Sequence, residues 1–515
     1  MDSTFRQIVR HASVFGLGAI LSRLASIVLL PLYTRYLHTA DYGVIAIVDL
    51  TVNLLGIAGS AGVASAATRE HFQHDAPEHI AGVWWTALAM VGTIATAIIV
   101  PTFVARDMVA GIAFGDSLRN GGFYFALALP TLWVGIMINV LESYFRAQKA
   151  STLLVTIGLG RLLLNVTLNV VLLVRFDMGI TAVLWGNLLT GVATVLVELA
   201  IFYGERRQLR FNRGLVQPYW RFGWPLMVFG FLSMMMHEAD RYILSGFSNL
   251  EQVGLYSVAY QIGQGTNAMI IMPFLTIWGA LVYEVARQPG RELVYARVFK
   301  HFAIGLALLL MLASLFAGPI LQLISPPEYA PARRIVPIVC LAYLFFSLHE
   351  HFRVPALIAN RTVAMLPVVA LSVAANVLLN LLLIPRFGAM GAAWASVATF
   401  IVFSGAGLVR YRRIERYPYP FGAIGSALGG MIATYAIFEV VVVARISSVP
   451  LQMSIAALIW MAWAGATFGG ILRELLRNGS WRAVIYASPS PAPTPAAPPG
   501  ARAESSGVIA GLNEP

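Results

Sequence analysis

Apolar runs separated by short charged stretches recur along almost the whole chain. A helix needs roughly 20 apolar residues to cross about 30 Å of hydrocarbon. Runs of that order fall at 13–37, 42–66, 81–104, 122–145, 152–174, 179–203, 222–247, 253–283, 298–324, 333–358, 363–384, 388–409, 420–443 and 450–472. None shows the ten-residue alternation of an outer-membrane barrel strand. The expected fold is an all-α polytopic membrane protein with about 14 transmembrane helices. Composition leads to the same class. Of 515 residues, 58% are hydrophobic and 11% charged, and the mean hydropathy is +0.75. Soluble globular chains carry about 25% charged residues, so a soluble enzyme and a disordered scaffold are both excluded.

The two ends read differently. Arg6 and Arg10 precede an apolar stretch beginning at Ala12, superficially like a secretory signal. That stretch runs past Leu30 with no small-x-small cleavage site, so an uncleaved first span is expected. Residues 485–515 are rich in Pro, Ala, Gly and Ser, the composition of a disordered tail. The single cysteine, Cys340, lies within an apolar run, which excludes disulfide frameworks and cysteine metal sites.

Lys and Arg sort unevenly between the two sides. The N-terminal side and the even-numbered loops hold 23, including Arg206, Arg207, Arg210, Arg213 and Arg221, while the opposite side holds nine. By the positive-inside rule both termini are cytoplasmic. The pI of 9.9 then reflects a basic cytoplasmic rim and requires no nucleic-acid partner.

The chain also repeats itself. Pro130 to Phe145-Arg146 recurs as Pro337 to Phe352-Arg353; Asn165, Asn169 and Arg175-Phe176 recur as Asn376, Asn380 and Arg386-Phe387; Gly43 matches Gly254. A steady shift across six spans predicts two parallel-repeat six-helix lobes, 1–210 and 211–415, followed by a helix pair, 416–484, and the tail, 485–515. Parallel repeats are one architecture of alternating-access transporters, with the substrate site near midplane. The short loops leave no room for the extramembrane domain a membrane glycosyltransferase or polymerase needs. No Walker A, GxGxxG or HExxH motif is present, so no catalytic residue, cofactor or metal site is assigned.

Charges at membrane depth cost roughly 2.5–3.5 kcal/mol each on insertion scales and mark candidate sites. Arg23 and Arg161 each lie about ten residues into a span, about 15 Å from its start, with no acidic residue one turn away. A guanidinium cannot lose its charge, so it must face water, a carboxylate such as Asp49, Glu198 or Glu238, or an anionic ligand. Arg161, Asn165 and Asn169 form one polar stripe, repeated as Ser372, Asn376 and Asn380; the Asn pairs also suit interhelical hydrogen bonding. In span 7, Glu238 and Arg241 are spaced to pair with each other, while His237 and Asp240, with Glu238, are candidates for a coupling ion. His349-Glu350-His351 cannot converge on one metal, because helical neighbours point about 100° apart. Trp133, Tyr144, Trp185 and Tyr260 suit either sugar stacking or packing. In-span prolines (Pro31, Pro101, Pro130, Pro225, Pro273, Pro337, Pro355, Pro367) fit kinked, cavity-lining helices.

Ser22-Arg23, Pro31…Tyr33…Leu37…Asp41-Tyr42-Gly43 and Gly62…Ala64…Ala66…Arg69 resemble the N-terminal region of bacterial polysaccharide (O-antigen-type) flippases. These belong to the multidrug/oligosaccharidyl-lipid/polysaccharide exporter superfamily. Asp240-Arg241, Gly254-Leu255-Tyr256, Asn360-Arg361-Thr362 and Ile384-Pro385-Arg386-Phe387-Gly388 resemble its second lobe. The resemblance covers roughly 5–410. It implies alternating-access export of a polyprenyl-pyrophosphate-linked oligosaccharide from the inner to the outer leaflet of the bacterial cytoplasmic membrane, for cell-surface polysaccharide biosynthesis. An H+ or Na+ gradient would drive it, with other polysaccharide-assembly membrane proteins as partners. The substrate-facing set is Arg23, Ser26, Arg161 and Asn165, with basic residues gripping the pyrophosphate. The rival readings are a drug/cation antiporter, which favours carboxylates in an otherwise uncharged cavity; a glycan polymerase or ligase; and a scaffold that recruits partners through its basic rim.

Overall fold

The computed structural model describes residues 29–478 apart from 74–75, 116–117, 119, 208 and 360, with the backbone alone at 268, 270, 272, 273, 276, 277, 280, 362 and 470–478. Every long element in it is a helix, and there is no strand among the described residues. The helices are α1 (residues 29–36), α2 (Thr39–Ser60), α3 (Val63–His71), α4 (Pro77–Val104), α5 (Arg106–Phe114), α6 (Gly121–Ala147), α7 (Ser151–Val170) and α8 (Ile180–Glu205). They continue as α9 (Val216–Phe247), α10 (Leu250–Val285), α11 (Arg291–Ile324), α12 (Ala332–Phe352), α13 (Val354–Ile358), α14 (Leu366–Tyr411), α15 (Phe421–Ile437) and α16 (Val449–Asn478). The described residues up to Thr467 form one compact unit and those from Phe468 onward another.

The boundaries follow the charged punctuation, because charged side chains leave the hydrocarbon at helix ends. Ten helices among the described residues are long and apolar enough to cross a membrane. One of these runs through α14, whose backbone leaves helical geometry at Gly388 (φ 54°, ψ −132°) and so divides it near its middle. The two adjoining expected spans there, 363–384 and 388–409, meet at that break. Helices α9 and α10 add 32 and 36 residues. Of the first expected span, 13–37, only residues from 29 onward are described, and the expected tail 485–515 lies outside them.

Gly179, the residue before α8, has φ 55° and ψ −134°, nearly the values of Gly388. That conformation is open essentially only to glycine. It marks the corresponding turn after Arg175-Phe176 and after Arg386-Phe387. The first copy spends two more residues there, which turns a kink into an open connection between α7 and α8.

Two hydrophobic cores result. One gathers Trp84, Tyr144, Phe145, Phe202 and Tyr219 with α3, α4, α6 and α8. The other gathers Met236, Phe299, Phe352, Phe400, Tyr411 and Ile424 with α11, α12, α14 and α15. Helix α9 belongs to both: Tyr219 and Phe222 pack on the first core, Leu232 and Met236 on the second.

Between the cores, α2 lies against α10. The closest approach is at Gly43 and Gly254, the two glycines matched by the repeat. A Cβ on Gly43 would overlap the Leu250 carbonyl, and one on Gly254 would overlap the Thr39 carbonyl. Small residues are what allow membrane helices this proximity. Nearby, Tyr42 donates to Gln261, Arg35 donates to the carbonyls of Ile324 and Leu323 at 3.3 and 3.4 Å, and Tyr329 donates to the Leu37 carbonyl at 3.0 Å. Arg35 and Tyr329 thereby tie the 37–38 and 325–331 loops together.

Replacing Gly254 with alanine forces α2 and α10 apart, an overpacking cost of about 1–3 kcal/mol. Thermal melting in detergent should show a lower midpoint for Gly254→Ala and none of that loss for Gly279→Ala, where a methyl would meet open space.

Candidate functional site

Helix α2 carries Asp49, Asn53, Gly56 and Ser60 at spacings that place them on one face. Helix α6 adds Thr131, Gly135 and Asn139, α7 adds Arg161 and Asn165, and α8 adds Asn187, Thr190 and Gly191. Together they line a cavity of about 620 Å³. Its walls lie near the middle of all four helices: Asp49, Thr131 and Arg161 are each ten residues from their helix starts, about 15 Å along the axis.

The Arg161 side chain lines this space and is 47% exposed, and among the described residues its one ion pair is a long contact from Nη1 to Glu142 Oε1 at 3.9 Å. Glu142 is claimed more closely by Arg146, at 3.1 Å on the same helix, and Arg146 also donates to Ser143 at 2.8 Å. Arg161 therefore holds most of its donors toward the cavity, where a planar fork suits two oxygens of one phosphate group. Asn165 donates to Asn187 Oδ1 at 3.1 Å and to Thr190 Oγ1 at 3.4 Å. Asn169 donates to the Asn165 carbonyl at 2.8 Å and accepts from Tyr33 at 3.1 Å.

The second half repeats these bonds without the cavity. Asn380 donates to the Asn376 carbonyl at 2.9 Å, and Asn376 donates to Thr399 Oγ1 at 3.4 Å. Ser372, Asn376 and Asn380 are all buried. The same stripe is helix glue on one side of the molecule and cavity wall on the other.

Asp49 faces the cavity too, with no hydrogen-bond or ion-pair partner among the described residues. Its charged neighbours are Glu238 and Arg241 of α9. Arg161 and Asp49, a cation and a carboxylate, thus share the cavity.

The three coupling candidates separate. Glu238 pairs with Arg241 at 2.7 Å, as their spacing predicts, and the guanidinium lies 4.7 Å from the centre of the Tyr260 ring. The His237 ring is packed among Tyr343, Phe346 and Phe400. Asp240, 1% exposed, accepts from Tyr256 and from Ser396 through Oδ2, while its Oδ1 has no hydrogen-bond partner among the described residues. None of the three lines the cavity. Arg23 and Ser26 lie outside the described residues. Tyr144 and Tyr260 are fully buried, Trp133 and Trp185 are on the surface, and none of these four lines the cavity. His349 meets the Tyr411 hydroxyl at 3.3 Å and Glu350 pairs with Arg353, so the His-Glu-His side chains turn to different neighbours.

Sequence reasoning missed Asn53, Asn139, Asn187 and Glu142. The first had a readable signal, the Asp49-Asn53-Ser60 spacing. Glu142 had a misleading one, since its i, i+4 relation to Arg146 reads as an ordinary surface pair.

An exposed cavity wall and a buried stripe should label differently. With Cys340, which is buried, replaced by serine, Arg161→Cys should react with a membrane-impermeant maleimide and Asn380→Cys should not. Equal protection of both would place Arg161 outside any hydrated space.

No curated protein sequence matches the chain. The fold is shared with solved structures at low identity. A lipid II flippase MurJ in an inward closed conformation aligns at TM-score 0.72 and 9% identity, over 90% of this chain and 100% of that one. An inward-facing multidrug resistance MATE transporter of the MOP superfamily aligns at TM-score 0.56 and 14% identity, over 82% and 94%. A MOP superfamily transporter from Pyrococcus furiosus aligns at TM-score 0.56 and 13% identity, over 79% and 95%. The family model described as "Polysaccharide biosynthesis protein" matches residues 32–332. The chain belongs to the polysaccharide biosynthesis protein family, a multi-pass membrane protein with the fold of the MOP superfamily.

Proposed function

We propose that the protein is a flippase that carries a polyprenyl-pyrophosphate-linked oligosaccharide from the inner to the outer leaflet of the bacterial cytoplasmic membrane, supplying cell-surface polysaccharide biosynthesis. The observation that carries this reading is Arg161: a permanent cation at mid-helix depth, half exposed, lining a cavity, and held among the described residues only by a long contact to Glu142. A sugar diphosphate cannot cross hydrocarbon, whereas its polyprenyl tail can remain there. A hydrated groove with guanidinium donors in its wall removes the larger cost. Arg161 and Asn165, with Arg23 and Ser26 of the first span, form the substrate-facing set.

Six-helix lobes, 1–210 and 211–415, rock about the α2–α10 contact, with 416–484 as an appended pair. The closed face is the one bearing the 37–38 and 325–331 loops. Positive-inside sorting of Lys and Arg makes that the outer face and both termini cytoplasmic. Asp240, with an unpartnered buried oxygen, is the favoured site for a coupling H+ or Na+, and His237 and Glu238 lie beside it. The protein acts as a transporter, not an enzyme, with other polysaccharide-assembly membrane proteins as partners.

A second reading, a drug/cation antiporter, draws on Asp49, the carboxylate that shares the cavity. The two readings separate by substitution. In proteoliposomes, Arg161→Ala should lower translocation of a labelled polyprenyl-pyrophosphate oligosaccharide at least about tenfold, equivalent to about 1.4 kcal/mol of lost binding, with Arg161→Lys recovering part of it. Wild-type flipping by Arg161→Ala, together with loss of cationic-drug transport in Asp49→Asn, would favour the antiporter.

A further inference from the structure

Below the cavity, α8 continues the polar face that Asn187 and Thr190 begin. Thr194, also buried, turns its hydroxyl to the Thr190 carbonyl at 2.8 Å, and one turn further lies Glu198. This carboxyl is 0% exposed, and neither of its oxygens has a hydrogen-bond partner among the described residues. Its charged neighbours are Glu142 and Arg146 on α6 and Arg161 on α7. The other ionisable groups on the packed elements are engaged or distant. Glu205 and Arg206 of α8 are hydrogen-bonded to Tyr144 of α6. Asp49 of α2 lies at the cavity, and Arg175 terminates the π-helical turn after α7.

We propose that Glu198 is a proton-binding site whose proton and the anion on Arg161 are held together. This rests on the reading of Arg161 as the anion site. A buried carboxylate with no donor is among the costliest arrangements in a protein, and such a group keeps its proton instead. With Glu198 neutral, the single carboxylate of Glu142 is shared between Arg146 at 3.1 Å and Arg161 at 3.9 Å. Within that trio one positive charge is then left in surplus, and Arg161 carries it into the cavity it shares with Asp49. Loss of the Glu198 proton would add a second negative charge to the field of the same two guanidiniums. The surplus would vanish, and Glu198 would compete with a diphosphate for Arg161. The proton therefore favours the anion and, by reciprocity, the anion favours the proton.

Glu198→Gln mimics the protonated group in size and charge. Infrared difference spectra of wild type against Glu198→Gln, in detergent at neutral pH, should show a protonated carboxylic-acid carbonyl band that the variant lacks. The same band in wild type alone should fade on alkaline titration, a readout that needs no variant. Binding of a polyprenyl diphosphate should weaken about tenfold in wild type as the pH is raised through that titration, the linkage equivalent of one pKa unit. Glu198→Gln should keep its neutral-pH affinity throughout. Absence of the band, or equal pH dependence in both proteins, overturns the proposal. A band that behaves as expected with no diphosphate binding at any pH leaves the proton site standing and removes the anion reading of Arg161.

Discussion

A guanidinium keeps its charge in any protein environment, and Arg161 carries that charge to the middle of a membrane helix. Everything around it answers this constraint. Polar faces of α2, α6, α7 and α8 turn toward one space, Glu142 reaches across from α6, and the asparagines beside the arginine hydrogen-bond to one another. In the second half, where the corresponding position is Ser372, the same asparagine stripe closes into packed helix.

The two halves are joined where side chains are smallest. Gly43 and Gly254 bring backbone against backbone, where α2 lies along α10. Each half has a hydrophobic core of its own. Helix α9 is the exception, since it packs on both, and Pro225 and Gly230 lie in the stretch between its two attachments.

Much of this was legible before any coordinates. Among the described residues most helix ends came within a few residues of the expected spans, because run length and charged punctuation are set by the bilayer itself and not by tertiary detail. The repeat was readable from Asn165-Asn169 and Asn376-Asn380, and the Glu238–Arg241 pair from its spacing. What stayed hidden depends on helix rotation. Nothing in the lengths of α2 and α6 says that Asp49 shares a cavity with Arg161, or that Glu142 and not Asp49, Glu198 or Glu238 is its ion-pair partner. His237 and Asp240 look alike as titratable residues in one short motif. One packs against aromatic rings and the other against hydroxyls, a difference that arises only when α10, α12 and α14 are placed around α9.

The central claim is that an anionic lipid carrier is gripped inside the first half of the molecule by Arg161. Electron cryomicroscopy of the purified protein saturated with a polyprenyl diphosphate tests it most directly. The account predicts phosphate density within hydrogen-bond reach of the Arg161 guanidinium, with the Glu142 contact released. Phosphate density confined to another part of the protein, with Arg161 still on Glu142, would contradict it.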